Sequence, residues 1–390
     1  MKNRTILQVI PALDTGGAER TAVDVAAAIL AAGGRALVAS AGGRMVGELT
    51  ALGATHIVLP LATKNPLIMV RNALRLTRLV REHSVDVLHA RSRAPAWSAL
   101  IAARRTGIAF VTTYHGAYNQ TNRLKRLYNS VMARGDAVIA NSHYIAALID
   151  KRHTGARGRI VVIHRGSDLS AFLAERIGED RIARLKADWG LGGDAGKVIL
   201  HMARLTHWKG QTVLIDALKR LSEAGVAGWT AILAGDDQGR AAYTNELRAQ
   251  IDRHGLGGRI RLVGHCADVP AAMALADAVA VASIEPEAFG RAAIEAQAAG
   301  TPVVVTDIGA VHETVLAPPE TADGARTGWR IPPEDPQALA DSLAALLAIP
   351  PDARQAMAER ARAHVAAHFS LQSMTDKTLD VYRSLLEKTP

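Results

Sequence analysis

The sequence predicts an α/β protein built from two doubly wound parallel sheets, one in each half of the chain. Short apolar, β-branched runs alternate with amphipathic segments along most of its length, the pattern of repeated strand–helix–strand units. Several of these runs end in glycine-containing loops that lead into the next helix, as phosphate-binding α/β folds do. At 390 residues, 49% of them hydrophobic, the chain exceeds one typical core and suits two domains.

In the first half, Thr5–Ile10 reads as a strand, Pro11–Gly17 (PALDTGG) as a turn-rich loop and Ala18–Ala32 as a helix with an apolar stripe. Gly16 and Gly17 can bring backbone N–H groups close to a phosphate. A glycine pair also makes an ordinary turn, and this one is neither a G-x-G-x-x-G nor a P-loop. Strands follow at Ala36–Ser40, Ile57–Leu59, Val85–His89, Phe110–Tyr114, Ala137–Asn141 and Ile160–His164, with helices at Met45–Leu52, Ile68–His83 and Pro95–Arg105. Ligands of such sheets bind beyond the C-terminal ends of the strands, so the residues found there are site candidates. Arg91 and Arg93 follow one strand and suit an anionic group on an acceptor, or a solvated loop. His115, followed by Gly116, ends another, and Asn141-Ser142 is a weaker candidate of the same kind. The helix around Asn122–Arg134 interleaves bases with Leu, Tyr, Val and Met. It suits a membrane-touching amphipathic helix or one packed on the sheet.

Residues 170–196 are mostly polar and read as a helix plus linker, with a domain boundary near residue 185. The second half opens with the strand Val198–His201, the loop Ala203–Gly210 and the helix Gln211–Ala224. Arg204 and Lys209 lie in that loop: a guanidinium chelates phosphate oxygens in pairs, and an ammonium acts as a point charge. Trp229–Ala234 and Ile260–Val263 are strands, the second leading into Gly264-His265-Cys266. Cys266 is the single cysteine, so no intrachain disulfide forms, and it reads as a small buried thiol. Ala278–Ser283 reads as a buried strand, and Pro286 breaks the chain into a loop. A helix from Gly290 to Ala299 closes at Gly300, and Thr301–Asp307 is the next strand. Glu287 precedes this helix and Glu295 lies inside it, roughly 7–8 Å further along the axis at ~1.5 Å per residue. Between them, N–H groups at the helix start form an anion cradle. Acceptor, cradle, acceptor in a row matches a nucleotide sugar, although two solvated glutamates on a helix give the same spacing. Helices at Pro336–Ala348, Pro350–His368 and Ser370–Glu387 complete the chain.

Glu287-x7-Glu295, with Phe289-Gly290 between and AAGTPVVVTDIGAVHE after it, resembles the E-x7-E motif of retaining glycosyltransferases of family GT4, such as those of bacterial lipopolysaccharide and surface glycans. Ala203-Arg204-Leu205 through Lys209-Gly210 resembles the family's G-R-L-x-x-x-K-G, with Ala203 replacing the first Gly. Arg165-Gly166-Ser167-Asp168 resembles its N-G-V-D with two substitutions, and Gly309-Ala310 stands where two glycines are usual. The resemblance implies the GT-B fold: two facing Rossmann-like domains with parallel sheets and a C-terminal crossover helix. The expected boundaries are 1–185 for acceptor binding, 186–368 for nucleotide-sugar binding, and 369–390 for the helix crossing back to the first domain.

It also implies roles. Gly16, Gly17, Arg204, Lys209, Gly264, His265, Glu287, Ala288, Phe289, Gly290, Arg291 and Glu295 are expected to bind the donor, Glu287 at the sugar and Glu295 at the ribose. Asp14 and Gly17 are expected near the acceptor, together with Arg91 and Arg93; Asp14 equally suits a helix cap. His115, Arg204, Lys209 and Glu287 are the expected catalytic set, with charge stabilisation of the departing diphosphate as their work and no covalent nucleophile. Neither a cofactor nor a metal is expected, because two cations serve the diphosphate. The implied reaction moves a sugar from a nucleoside-diphosphate sugar to a hydroxyl of a glycan or glycolipid.

The net charge of +9 is uneven: residues 1–185 carry 26 Lys and Arg against 12 Asp and Glu, and residues 186–390 carry 20 against 25. The basic half therefore faces an anionic partner, with a membrane surface, a phosphorylated acceptor and nucleic acid as candidates. Few aromatics and no RNA-binding signature weigh against nucleic acid. No signal-peptide core and no uncharged apolar stretch of membrane-spanning length are visible. The expected location is cytoplasmic, with peripheral contact to the inner face of the cytoplasmic membrane. Two other functions fit less of the sequence: a nucleotide-sugar epimerase of GT-B fold, and a non-catalytic basic protein that binds membrane or nucleic acid.

Overall fold

The computed structural model describes residues 1–14, 16–118, 121–193 and 195–388. They form two compact units, one comprising residues 1–166 and 371–390, the other 167–370. Each is built on a sheet whose strand pairs are all parallel.

The first sheet contains β1 (Thr5–Val9), β2 (Arg35–Ser40), β3 (Thr55–Val58), β4 (Val87–Ala90), β5 (Ala109–Tyr114), β6 (Ala137–Ala140) and β7 (Ile160–Val162). Its strand order is β3-β2-β1-β4-β5-β6-β7. The order reverses between β1 and β4, which opens a crevice at their C-terminal ends. Buried Ile6, Val38, Val87, Val111 and Ile139 on one face pack with Val23, Val25 and Ile29 of the helix Gly17–Ala31. The C-terminal helix, Leu371–Lys388, adds Met374, Leu379, Val381 and Tyr382 to this core, so the last helix belongs to the first unit.

The second sheet contains β8 (Lys197–Met202), β9 (Trp229–Ala234), β10 (Ile260–Gly264), β11 (Ala278–Val281), β12 (Val303–Thr306) and β13 (Trp329–Ile331). Its order is β10-β9-β8-β11-β12-β13, with the switch between β8 and β11. Period-two alternation divides its side chains between two cores. Val198, Leu200, Ile232, Val279 and Val303 face one way; Ile199, Ala231, Leu233, Ala280 and Val304 face the other. Burial on both faces explains why these strands read as continuous apolar runs. The three-residue edge strand β13 (WRI) was too short to read from the sequence.

Both boundaries differ from those expected. The first lies after Gly166 rather than near 185, because the polar run that reads as a linker hides apolar anchors: Phe172, Ile177 and Leu185 are buried in the second core. The second lies after Ser370, close to the expected position between residues 368 and 369. The segment before Leu371 is tied to the second unit by the Ser167 N–H donating to the Phe369 carbonyl at 3.0 Å.

The C-terminal helix is also fixed by a polar contact inside the first unit. Its buried Tyr382 hydroxyl lies 2.6 Å from His89 Nδ1, and His89 Nε2 lies 2.7 Å from Thr113 Oγ1. Replacing Tyr382 by Phe leaves the Nδ1 atom without this partner. We expect a loss of about 1–3 kcal/mol in stability, read as a lower urea midpoint at unchanged slope. An unchanged midpoint would show that the helix is held by its apolar face alone.

Candidate functional site

The site in the second unit follows from its topology. β8 and β11 flank the switch, and the loops after them carry Lys209 and Glu287. Two glycines bring these loops together. Gly210 sits at φ 68° with the position of a Cβ 1.8 Å from the Ala282 carbonyl oxygen, so no other residue fits without moving backbone. The Ile284 N–H donates to the Trp208 carbonyl at 2.9 Å, tying the same two loops. Gly309 sits at φ 79°, where a Cβ would lie 2.3 Å from the Glu287 carbonyl oxygen, and the Ala310 N–H donates to that oxygen at 2.9 Å. Ala310 itself is at φ −87°, which any L-residue adopts. This explains why Gly309-Ala310 serves where the family usually has two glycines.

Glu287 is only 8% exposed. Its Oε1 accepts the Ser283 hydroxyl at 2.6 Å and also pairs with the Lys209 ammonium. Lys209 Nζ in turn lies 4.1 Å from the centre of the Trp208 ring, a cation–π contact. Behind this group, His201 is fully enclosed in β8 with Nδ1 2.8 Å from the Ala280 carbonyl, which can only accept; Nδ1 therefore carries the proton. Burial pushes the His201 pKa down to about 4. Neither Ser283 nor His201 was expected from the sequence. The signal for both was their place at the C-terminal ends of strands beside the switch.

The other expected donor residues fall into separate roles. Arg204 is exposed, with its Nη1 donating to Gln238 Oε1 at 3.4 Å. Gly290 adopts the left-handed conformation and opens the helix Arg291–Ala299, whose first N–H groups follow it. Arg291 donates to Glu295 at 2.8 Å, one turn on, so both side chains already have a partner. The Phe289 ring lies edge-on to Phe369 at 5.5 Å inside the core, which leaves its backbone rather than its side chain for a ligand. Gly264, at φ 72°, and His265 are exposed at the end of β10. Cys266 is buried, and burial pushes its thiol up to about 11, consistent with an inert thiol.

In the first unit the structure corrects one expectation. Arg91 is 2% exposed, with its Nε donating to Gln8. It is a buried part of the interior network beside Tyr382, not a surface base reaching for an acceptor. Arg93 is half-buried, donates to Asn129 at 2.9 Å and stacks 4.2 Å from the Tyr118 ring centre. Asp14 is exposed and accepts the Arg44 N–H at 3.3 Å; the helix Gly17–Ala31 has no side-chain cap. Gly16 is extended and exposed, and Gly17 begins the helix. His115 ends β5, with Nδ1 2.9 Å from an Arg165 nitrogen. Burial, followed by the charges of Arg165 and Arg91, holds the His115 pKa well below its ordinary value.

Two units, each built on a parallel sheet with a switch in strand order, have the architecture of α/β proteins that bind ligands at the C-terminal ends of their strands. The family model "Glycosyltransferase Family 4" matches residues 15–171, and "Glycosyl transferases group 1" matches residues 189–364. The chain belongs to this glycosyltransferase family and has its GT-B fold. A crystal structure of a glycosyltransferase from Rickettsia africae is 33% identical, covers 99% of both chains and superposes with a TM-score of 0.88. The Anabaena HepE protein, solved in complex with UDP-glucose, is 26% identical over 97% of this chain and 99% of that one, with a TM-score of 0.81. A lipopolysaccharide core biosynthesis mannosyltransferase of Rhizobium meliloti is 29% identical over 325 residues, 82% of this chain and 86% of that protein. The protein is therefore an enzyme that transfers glycosyl groups, which sets aside the reading as a non-catalytic binding protein.

The buried histidines make stability depend on pH. His201, His89 and His115 all have folded pKa values depressed by burial. Between the free value of ~6.5 and each folded value, the unfolded chain binds protons that the folded chain does not. Stability from these groups is thus full above ~6.5 and falls as pH drops, each contributing up to about 1.4 kcal/mol per pH unit. The urea midpoint is expected to be lower at pH 5.0 than at pH 7.5, before the carboxylates titrate. Equal midpoints would contradict the neutral assignment.

Proposed function

We propose that the enzyme transfers a sugar from a nucleoside-diphosphate sugar to a hydroxyl of a lipid-linked or lipopolysaccharide-type glycan, with retention at the anomeric carbon. The observation that carries this reading is the Lys209–Glu287 pair at the β8/β11 switch, beside the start of the helix Arg291–Ala299. A donor brings an anionic diphosphate and sugar hydroxyls to the same place. The phosphate oxygens compete for Lys209 and the helix N–H groups, and the sugar hydroxyls donate to the Glu287 carboxylate, whose Oε1 Ser283 holds.

As the glycosidic C–O bond breaks, negative charge grows on the departing diphosphate. Fixed positive charge at Lys209, together with Arg204 from the same loop, stabilises that charge more than it stabilises the ground state. A cation pair in this role needs no divalent metal. The UDP-glucose held by the Anabaena relative and the mannosyltransferase activity named for the Rhizobium relative support a sugar-nucleotide donor. Retention rests on the likeness of Glu287-x7-Glu295 to the motif of retaining enzymes.

Turnover with a panel of nucleotide sugars tests the assignment. Lys209→Ala and Arg204→Ala should each lower it on the order of 10²-fold, and activity should be equal with and without EDTA. Near-normal rates in both folded variants, or loss in EDTA restored by Mg²⁺ or Mn²⁺, would overturn the diphosphate assignment.

We further propose that the first unit docks on the anionic cytoplasmic face of the membrane, where a lipid-linked acceptor resides. By sequence this unit has 26 Lys and Arg against 11 Asp and Glu. The helix Pro66–Glu82 exposes Leu67, Ile68, Val70 and Leu74 among Arg71, Arg75 and Arg78. The helix Arg123–Ser130 exposes Leu124 and Leu127 among Arg123, Lys125 and Arg126. Apolar side chains interleaved with bases suit the headgroup boundary, and each base near an anionic leaflet contributes ~1 kcal/mol. Among the described residues no helix is long and apolar enough to cross a membrane. Sedimentation with anionic vesicles should exceed that with neutral vesicles at low salt and decline at 1 M salt, where the Debye length is ~3 Å. Equal, negligible sedimentation with both at low salt would refute docking and leave the transferase reading intact.

A further inference from the structure

We propose that Arg165 is a positioning residue that holds His115 as a neutral ring with its proton on Nε2, making that N–H a fixed hydrogen-bond donor at the end of β5. The proposal rests on the transferase reading only for the identity of the oxygen that receives this hydrogen bond. The tautomer itself follows from geometry.

His115 directly follows β5, and its main-chain N–H points to the Tyr118 hydroxyl at 3.4 Å. Arg165 comes from the segment after β7 and places Nη2 2.9 Å from His115 Nδ1. A guanidinium has donors and no acceptor, so Nδ1 must accept. A neutral imidazole that accepts at Nδ1 carries its hydrogen on Nε2. Protonating Nδ1 would set N–H against N–H and cation against cation. The charges facing the ring reinforce this: Arg165 and Arg91 are both cationic, and the third titratable neighbour is His89. Tyr118 faces it as a neutral hydroxyl, kept protonated by burial.

Two consequences follow. With Nδ1 occupied and Nε2 protonated, His115 has no lone pair to take a proton from an acceptor hydroxyl, so it does not serve as a general base. Its Nε2 is buried and has no hydrogen-bond partner among the described residues. A buried donor of this kind is satisfied by a ligand oxygen, here a sugar hydroxyl or a phosphate oxygen of the donor. The residue type matters. The related N-G-V-D motif has Asn where this chain has Arg165. An amide can donate or accept, which permits either tautomer, whereas the guanidinium permits one.

The test is nitrogen NMR of the ¹⁵N-labelled full-length protein, with the His115 ring signals identified by their absence in His115→Gln. We expect the wild-type ring to keep Nε2 protonated and Nδ1 bare from pH 8 to 5.5. In Arg165→Met burial still holds the ring pKa below ~6.5, but Nδ1 loses its donor and a mixture of the two neutral tautomers should appear; in Arg165→Lys, which keeps a charge and a donor, Nε2 should remain the protonated nitrogen. The kcat/KM for the donor should fall about tenfold in Arg165→Met, as for a lost hydrogen bond, and stay within about twofold in Arg165→Lys. Calorimetry with the nucleoside diphosphate alone and with the nucleotide sugar separates the two oxygens: weaker binding of both points to phosphate, and of the sugar form alone to a hydroxyl. A wild-type ring that titrates near ~6.5, carries its proton on Nδ1, or is unchanged in Arg165→Met overturns the proposal. If the wild type turns over no nucleotide sugar, the transferase reading fails, and the NMR result still decides the tautomer.

Discussion

Lys209 and Glu287 form an ion pair in which neither side chain is more than 17% exposed. Two charges taken out of water are costly to separate, because removing one leaves the other uncompensated in a low-dielectric setting. Much of the surrounding local structure serves this contact. Gly210 lets its loop lie against the end of β11, Gly309 lets the loop after β12 lie against Glu287, and Ser283 fixes the carboxylate rotamer. Thr306 extends the support by donating to the Ser283 carbonyl at 2.6 Å.

The first unit manages buried charge differently. Its interior holds His89 hydrogen-bonded to Tyr382, a contact that also secures the C-terminal helix, and buries Arg91, which donates to Gln8. No carboxylate neutralises Arg91 at hydrogen-bond distance among the contacts described, and burial lowers its pKa. Burial, and after it the charges of Arg165 and Arg91, keeps His115 neutral. A neutral ring in a positive environment is suited to donate a hydrogen bond to an electron-rich oxygen, a different task from proton transfer.

Most of the fold was legible in the sequence. Buried parallel strands need unbroken apolar runs, so β1, β8, β9 and β11 stand out, and glycines at Gly210, Gly290 and Gly300 mark the turns beside them. The domain boundary was harder, because three buried anchors in residues 167–185 are outnumbered by charged neighbours. At the site, the spacing of Lys209, Glu287 and Glu295 was visible. The interior position of Arg91 was not, since a basic residue after a strand reads the same whether it faces solvent or the core.

By itself the sequence determined the order of strands and helices, the positions that require glycine, and the set of charged residues near strand ends. These depend on periodicity and on backbone conformation, which are local properties of the chain. The partners of those charges were decided by the tertiary structure alone. Lys209 meets Glu287 from a loop 78 positions away, Arg165 meets His115 from 50 away, and Tyr382 meets His89 from 293 away. Strand order and loop packing bring such residues to hydrogen-bond distance, and no local pattern encodes that proximity. The position of the proton on His201 and on His115 then follows from the partner each ring meets.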